Sequence, residues 1–221
     1  MSERSINGET KCDCLKETHN TDLIVITGGP GAGKTAILEM AKKVMCKHVA
    51  ILPESASIVF GGGFWRLESS SARNAAQRAI YHVQREMENL VLGEKCWAAG
   101  LCDRGTLDGL AYWSGSERNF FELVQHRVQE EFARYRAVIH LHSPSAALGY
   151  NHSNPLRVES AREAQAIDEK IRAIWSGHPN YKVIESSASF LTKAKSAITH
   201  IVEALPECCQ SAVQLRVRNG S

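Results

Sequence analysis

Eight consecutive residues, Gly28-Gly29-Pro30-Gly31-Ala32-Gly33-Lys34-Thr35, constrain this chain more than any other stretch. They satisfy G-x-x-x-x-G-K-[ST] at every fixed position. Leu23-Ile24-Val25-Ile26-Thr27 precedes them, an apolar, β-branched run that predicts a buried parallel strand. Ala36 to Val44 follows and predicts a helix. In that strand–loop–helix context the pattern describes a phosphate site. Glycines let successive backbone N–H groups converge on an anion, and the following helix contributes the positive end of its dipole. Lys34 is placed to reach β- and γ-phosphates, and Thr35 to offer its hydroxyl to Mg²⁺. The alternative, a plain glycine turn with Lys34 in solvent, is disfavoured because every fixed position is matched in context.

Ligands of open α/β sheets sit at the carboxyl ends of the strands, so the acids found there are the next candidates. The second predicted strand, His48-Val49-Ala50-Ile51-Leu52, runs into Pro53-Glu54-Ser55. Glu54 is read as a site residue, with a surface turn as the alternative. The third, Trp97 to Cys102, ends in Asp103-Arg104-Gly105, with Asp108 just beyond. An acid there is where a Walker B carboxylate would hold Mg²⁺ or its water shell, although small residues replace the usual Val and Ile. Arg104 could meet a substrate or transferred phosphoryl group with its planar fork. An ion pair for Asp103 is the competing reading.

The remaining elements alternate in the same way. Residues 69–92 predict a long helix whose Ala72, Ala76, Ala79, Ile80, Val83, Met87, Leu90 and Val91 face the core, with Gly93 as its stop. Residues 116–135 predict another helix, and Ala137 to His142 a fourth strand. His140 and His142 could bind metal at strand spacing, but no third ligand is apparent, so packing or solvent roles are preferred. Phe60-Gly61-Gly62-Gly63-Phe64-Trp65-Arg66 is expected to form a pliable loop, near a ligand or as a plain connector. Asn154-Pro155-Leu156-Arg157 leads into a helix from Ser160 to Trp175, capped by Ser160 and Glu163. Arg157 is the candidate for a lid that closes on phosphate. Arg172 and Asp168 sit at the spacing of a surface ion pair. Tyr181 to Glu185 is the fifth strand, before a last helix reaching Leu205.

The chain of 221 residues is long enough for one domain with a substantial core, expected over residues 22–206, with a flexible tail at 1–21 and another at 207–221. A net charge of +2 gives no large field for nucleic acid or acidic membranes. No apolar run is long enough to span a membrane, and no signal-peptide core is present, so a cytoplasmic location is the default expectation. The seven cysteines lack C-x-x-C spacing with matching ligands, so buried thiols are favoured over a zinc site.

Together, the phosphate loop, Pro53-Glu54-Ser55, Asp103-Arg104-Gly105-Thr106-Leu107-Asp108 and Asn154-Pro155-Leu156-Arg157-Val158-Glu159-Ser160 resemble the NadR-like AAA-domain P-loop family over about residues 22–204. That family includes the ribosylnicotinamide kinase domain of NadR. The resemblance implies an α/β three-layer P-loop fold, kinase-like with a lid, whose parallel sheet runs 2-3-1-4-5. It implies Lys34 and Thr35 at the nucleotide and Asp103 at Mg²⁺. By similarity with deoxynucleoside kinases, Glu54 becomes the base near an acceptor hydroxyl. The expected activity is ATP- and Mg²⁺-dependent transfer to a small nucleoside- or nucleotide-like acceptor. The family also holds regulatory proteins, so a nucleotide-binding module (ATP or GTP) with slow hydrolysis is the alternative.

Overall fold

The computed structural model describes residues 14, 18–143, 161–187, 189–210 and 213. Five strands form one parallel sheet: β1 (Asp22–Thr27), β2 (Val49–Leu52), β3 (Ala99–Asp103), β4 (Tyr135–Leu141) and β5 (Tyr181–Ile184). Their order is β2-β3-β1-β4-β5, as the resemblance implied. β1 is central, and both its neighbours run parallel to it, with Ile26 beside Asp103 on one side and Ile139 on the other.

Alternation along β1 sorts its side chains into two cores. Ile24 and Ile26 join Ile37, Leu38 and Ala41 of α1 (Lys34–Val44) and Ala194, Ala197 and Ile201 of α7 (Phe190–Ala204). Leu23 and Val25 join the opposite layer. That layer holds Tyr81 and Val91 of α3 (Ser70–Glu94), Leu107 of the 3₁₀ helix Thr106–Tyr112, and Phe120 of α4 (Glu117–Val124). It also holds Ile171 and Trp175 of α6 (Ala161–Trp175). Leu101 of β3 is fully buried, and truncating such a residue to alanine costs about 2–5 kcal/mol.

Gly100 explains why β3 lacks the bulky residues of an ideal strand. A Cβ there would come within 3.0 Å of Leu23 and 3.1 Å of Leu52, so the neighbours fill the space its side chain leaves.

Four sequence expectations change. α3 continues through Gly93 and ends at Glu94, where Lys95 takes the left-handed conformation. Its buried face includes Gln84 and Glu88, while Leu90 is exposed. Those polar groups stay inside because they are paired: Gln84 donates to Glu88 and accepts from Ser55, and Arg134 and Tyr135 donate to Glu88. The helix expected over 116–135 is two, α4 and α5 (Val128–Phe132), because Gln125 turns left-handed after α4. Phe60 and Gly61 belong to α2 (Ser55–Gly61) rather than to a loop. Past residue 206, where the tail was expected, Cys209 and Val213 are buried in the α1–α7 core.

Candidate functional site

The site forms where β1, β2 and β3 end. The phosphate loop leaves β1 through Gly28 at φ 135 and enters α1 through Gly33 at φ 92. Both angles lie in the region L side chains avoid. A Cβ on Gly28 would also sit 2.1 Å from the Leu141 carbonyl oxygen, so the loop lies tight against β4. Lys34 opens α1 and folds back over the loop, donating to the carbonyls of Gly28 (2.9 Å) and Gly29 (3.0 Å). Burial and the nearby Arg104 charge bring its ammonium down to about 8, against smaller opposing effects of Asp103, Glu54 and Asp108. Thr35, next along, is exposed.

The structure brings Glu54, Asp103 and Arg104 to this loop. Leu52 pairs with Cys102, so the ends of β2 and β3 deliver these residues side by side. Arg104 donates through Nε to Glu54 Oε1 (2.8 Å) and through Nη1 to Gly28 O (3.2 Å) and Asp108 Oδ2 (3.1 Å). Its left-handed backbone, φ 77, turns the side chain out of the strand direction toward the loop. Burial opposes ionisation of Glu54, but Arg104 outweighs it, with Ser57 assisting, and holds the carboxyl down to about 2. Burial pushes Asp103 the other way, above the usual carboxylate range, only partly offset by Lys34 and Arg104. Asp103 Oδ1 is buried with no hydrogen-bond partner among the described residues. An unsatisfied carboxylate oxygen is the donor chemistry Mg²⁺ takes.

Asp108 has a positioning task. Its carboxylate accepts from Thr27 Oγ1 (2.6 Å), Trp175 Nε1 (2.7 Å) and Arg104, fixing the guanidinium from below. Gly105 lets Trp175 approach, since a Cβ there would meet its ring at 2.6 Å.

A second set of groups, missed in the sequence, holds the loop from α6 and α7. Asp168 is buried, and instead of pairing with Arg172 it accepts the Gly29 N–H (2.5 Å) and the Ser143 N–H (3.2 Å). His140 Nε2 lies 3.1 Å from its Oδ1 and His142 Nδ1 2.6 Å from its Oδ2. This is the third member that the His140–His142 pair lacked. Both carboxylate oxygens are already engaged by backbone N–H groups, which makes the cluster a brace for the loop. Burial disfavours the Asp168 charge, yet His140 and the two backbone donors bring its carboxyl down to about 2. Lys193 of α7 donates to Ala32 O (2.8 Å) and His142 O (2.6 Å), and Ser143 Oγ to Pro30 O (3.2 Å). Burial lowers the Lys193 ammonium to about 8. Arg157 and the Asn154–Ser160 segment lie outside the described residues.

On the open side, α2 leads from Glu54 to Gly63 (φ 92) and then to exposed Phe64, Trp65 and Leu67. Arg66 stacks over Phe60, 4.3 Å from the ring centre. Among the described residues no helix is long and apolar enough to cross a membrane.

Comparison with known proteins agrees with this architecture. Thymidylate kinase from Candida albicans superposes with a TM-score of 0.61 at 11% identity, covering 83% of this chain and 92% of that one. The Ehrlichia chaffeensis thymidylate kinase gives 0.56 at 13%, covering 83% and 98%. NadR, solved in complex with NR, gives 0.59 at 13%. The match covers 84% of this chain but only 52% of NadR. At such identities the likeness concerns the fold, which is that of P-loop kinases. Comparison with curated proteins finds no significant match. A sequence profile described as an AAA domain matches residues 23–193, most of the chain, and with the phosphate loop and sheet order in place the chain belongs to the NadR-like AAA-domain family of P-loop proteins.

Proposed function

We propose that this chain is an ATP- and Mg²⁺-dependent phosphotransferase acting on a small nucleoside- or nucleotide-like acceptor. One observation carries the reading: the Glu54–Arg104 pair, at 2.8 Å, stands beside a phosphate loop whose Gly28 carbonyl Arg104 also contacts. Binding a nucleotide alone needs no such acid next to the loop. The kinase folds of the superposed neighbours support the same reading.

In this reading the loop N–H groups and Lys34 hold the triphosphate, and the Lys34 ammonium exchanges its two carbonyl partners for phosphate oxygens. Thr35 and Asp103 would hold Mg²⁺, which when bound neutralises charge between the β- and γ-phosphates. The orphaned Asp103 oxygen supports that assignment. Glu54, held at about 2, is a weak base near neutral pH. Its role is therefore to accept and aim the acceptor's hydroxyl. Each carboxylate oxygen has a second lone pair beyond its bond to Arg104 or Ser57. Arg104, charged and fixed by Asp108, meets the phosphoryl oxygens from the acceptor side. Arg157 is proposed as the closing lid residue.

A screen with γ-labelled ATP across nucleosides, nucleotides and related metabolites tests the reading. Label is expected in one class of acceptor, and Lys34→Ala is expected to lower transfer by about 10²–10³-fold. If ATP binds but no acceptor takes label, the chain is instead a nucleotide-binding module with slow hydrolysis.

A further inference from the structure

At the opposite end of β1 the two ends of the described chain meet. Cys14, His19 and Cys208 each present one ligand atom, and all three atoms lie within 4.8 Å of one another. Cys14 Sγ and His19 Nε2 are 3.9 Å apart. His19 is buried, and its backbone N–H is tied to Lys95 O at 2.8 Å. Cys208 lies in the helical stretch 207–210 that follows α7, where the neighbouring Cys209 thiol lies 3.9 Å away and packs in turn on Cys46 at 3.4 Å. A cavity of about 400 Å³ adjoins His19 and Cys208. β1 separates this cluster from the phosphate loop by about 20 Å at the rise of a six-residue strand.

We propose that Cys14, His19 and Cys208 form a zinc site that staples the segment entering β1 to the segment leaving α7. The donors are the kind zinc prefers, two thiols and an imidazole nitrogen. Bond lengths of about 2.3 Å to sulfur and 2.0–2.1 Å to nitrogen put tetrahedral donors roughly 3.5–3.8 Å apart. The observed spacing needs a shift under about 1 Å to reach that geometry. Charge balances as well. The two thiols release their protons, and a dication with two thiolates and a neutral imidazole is neutral, so burial carries little electrostatic cost. The fourth position falls to water, for which the cavity has room. Ligands from the two ends of the chain, 194 residues apart between Cys14 and Cys208, leave no local spacing for a sequence pattern to detect.

Zinc titration of the intact chain tests the site, using a chromophoric chelator as competitor and metal analysis of the protein as isolated. About one zinc per chain is expected. Cys14→Ser and Cys208→Ser are each expected to weaken it by more than about 100-fold, since even outer-sphere partners of a metal are worth 10–100-fold. ATP binding, about 20 Å away, should persist and serves as the control for folding. Should a variant fail to fold, cobalt loading of the wild type gives the same answer, because cobalt–thiolate absorption is expected only with cysteine ligands. No zinc and no cobalt–thiolate band in the wild type overturns the proposal. So does zinc retained in Cys208→Ser but lost in His142→Ala, which locates it at the loop brace. A Cys14–Cys208 disulfide in the freshly isolated protein overturns it too.

Discussion

The phosphate loop has two flanks of different construction. Toward α6 and α7, its backbone is gripped by buried groups: Asp168 on the Gly29 N–H, Lys193 on the Ala32 carbonyl and Ser143 on the Pro30 carbonyl. Toward β2 and β3 it meets Arg104 and Glu54, whose side chains are 14% and 31% exposed. Beyond them stands Trp65, 77% exposed. The first flank fixes geometry, because a buried donor or acceptor has no water to replace a lost partner. The second can exchange partners, because solvent reaches it. A fixed flank beside an adaptable one is the division the proposed phosphotransferase would use for its donor and acceptor halves.

Substitutions should separate the flanks. Asp168→Ala is expected to cost most, about 3–5 kcal/mol in denaturant unfolding, because it strands His140 and two buried N–H groups. The acid limb should report the same group. The Asp168 carboxyl sits near 2 in the fold against an ordinary value of 3.8, so its stabilisation is present above about 4 and lost as pH falls through about 2. In Asp168→Ala that loss should disappear from the unfolding profile. Lys193→Met is expected to cost about 1–3 kcal/mol, by leaving the Ala32 and His142 carbonyls unsatisfied.

A smaller effect belongs to Lys34. Its ammonium lies near 8 rather than 10.5, and the negative charge of a bound triphosphate is expected to raise it again. Binding then takes up a proton above pH 8. Affinity should be flat below that value and fall by up to about tenfold per pH unit toward 10.5, as isothermal titration in two buffers of different ionisation heat would show. A pH-independent affinity across that range would mean that Lys34 gains no charge on binding.

The acceptor flank was the more legible in the sequence. Glu54, Asp103 and Arg104 follow strands directly, as Lys34 in the loop follows the glycine pattern, and phosphate chemistry restricts which residue types serve there. The brace was hidden for the opposite reason. Asp168 acts on Gly29 from 139 residues away, while its sequence neighbour Arg172 offers an obvious helical partner. Periodicity marks Lys193 as one more polar residue of α7, yet its stem is buried and its ammonium spans two carbonyls. His140 and His142 were recognised as a pair, but their carboxylate lies on a later helix. The strands came through because each carries a short apolar run closed by a turn, whereas their order followed only from the family resemblance. The length of α3 and the break between α4 and α5 did not, since left-handed Lys95 and Gln125 carry no glycine signal.

The measurement that bears most directly on the division of the site compares ATP affinity and phosphoryl transfer in the wild type and Glu54→Gln. Glu54 touches Arg104 and Ser57 but none of the groups that brace the loop. The account predicts unchanged ATP affinity with transfer lowered by about 10²-fold or more. Equal transfer rates in the two proteins would contradict it and remove Glu54 from the acceptor half.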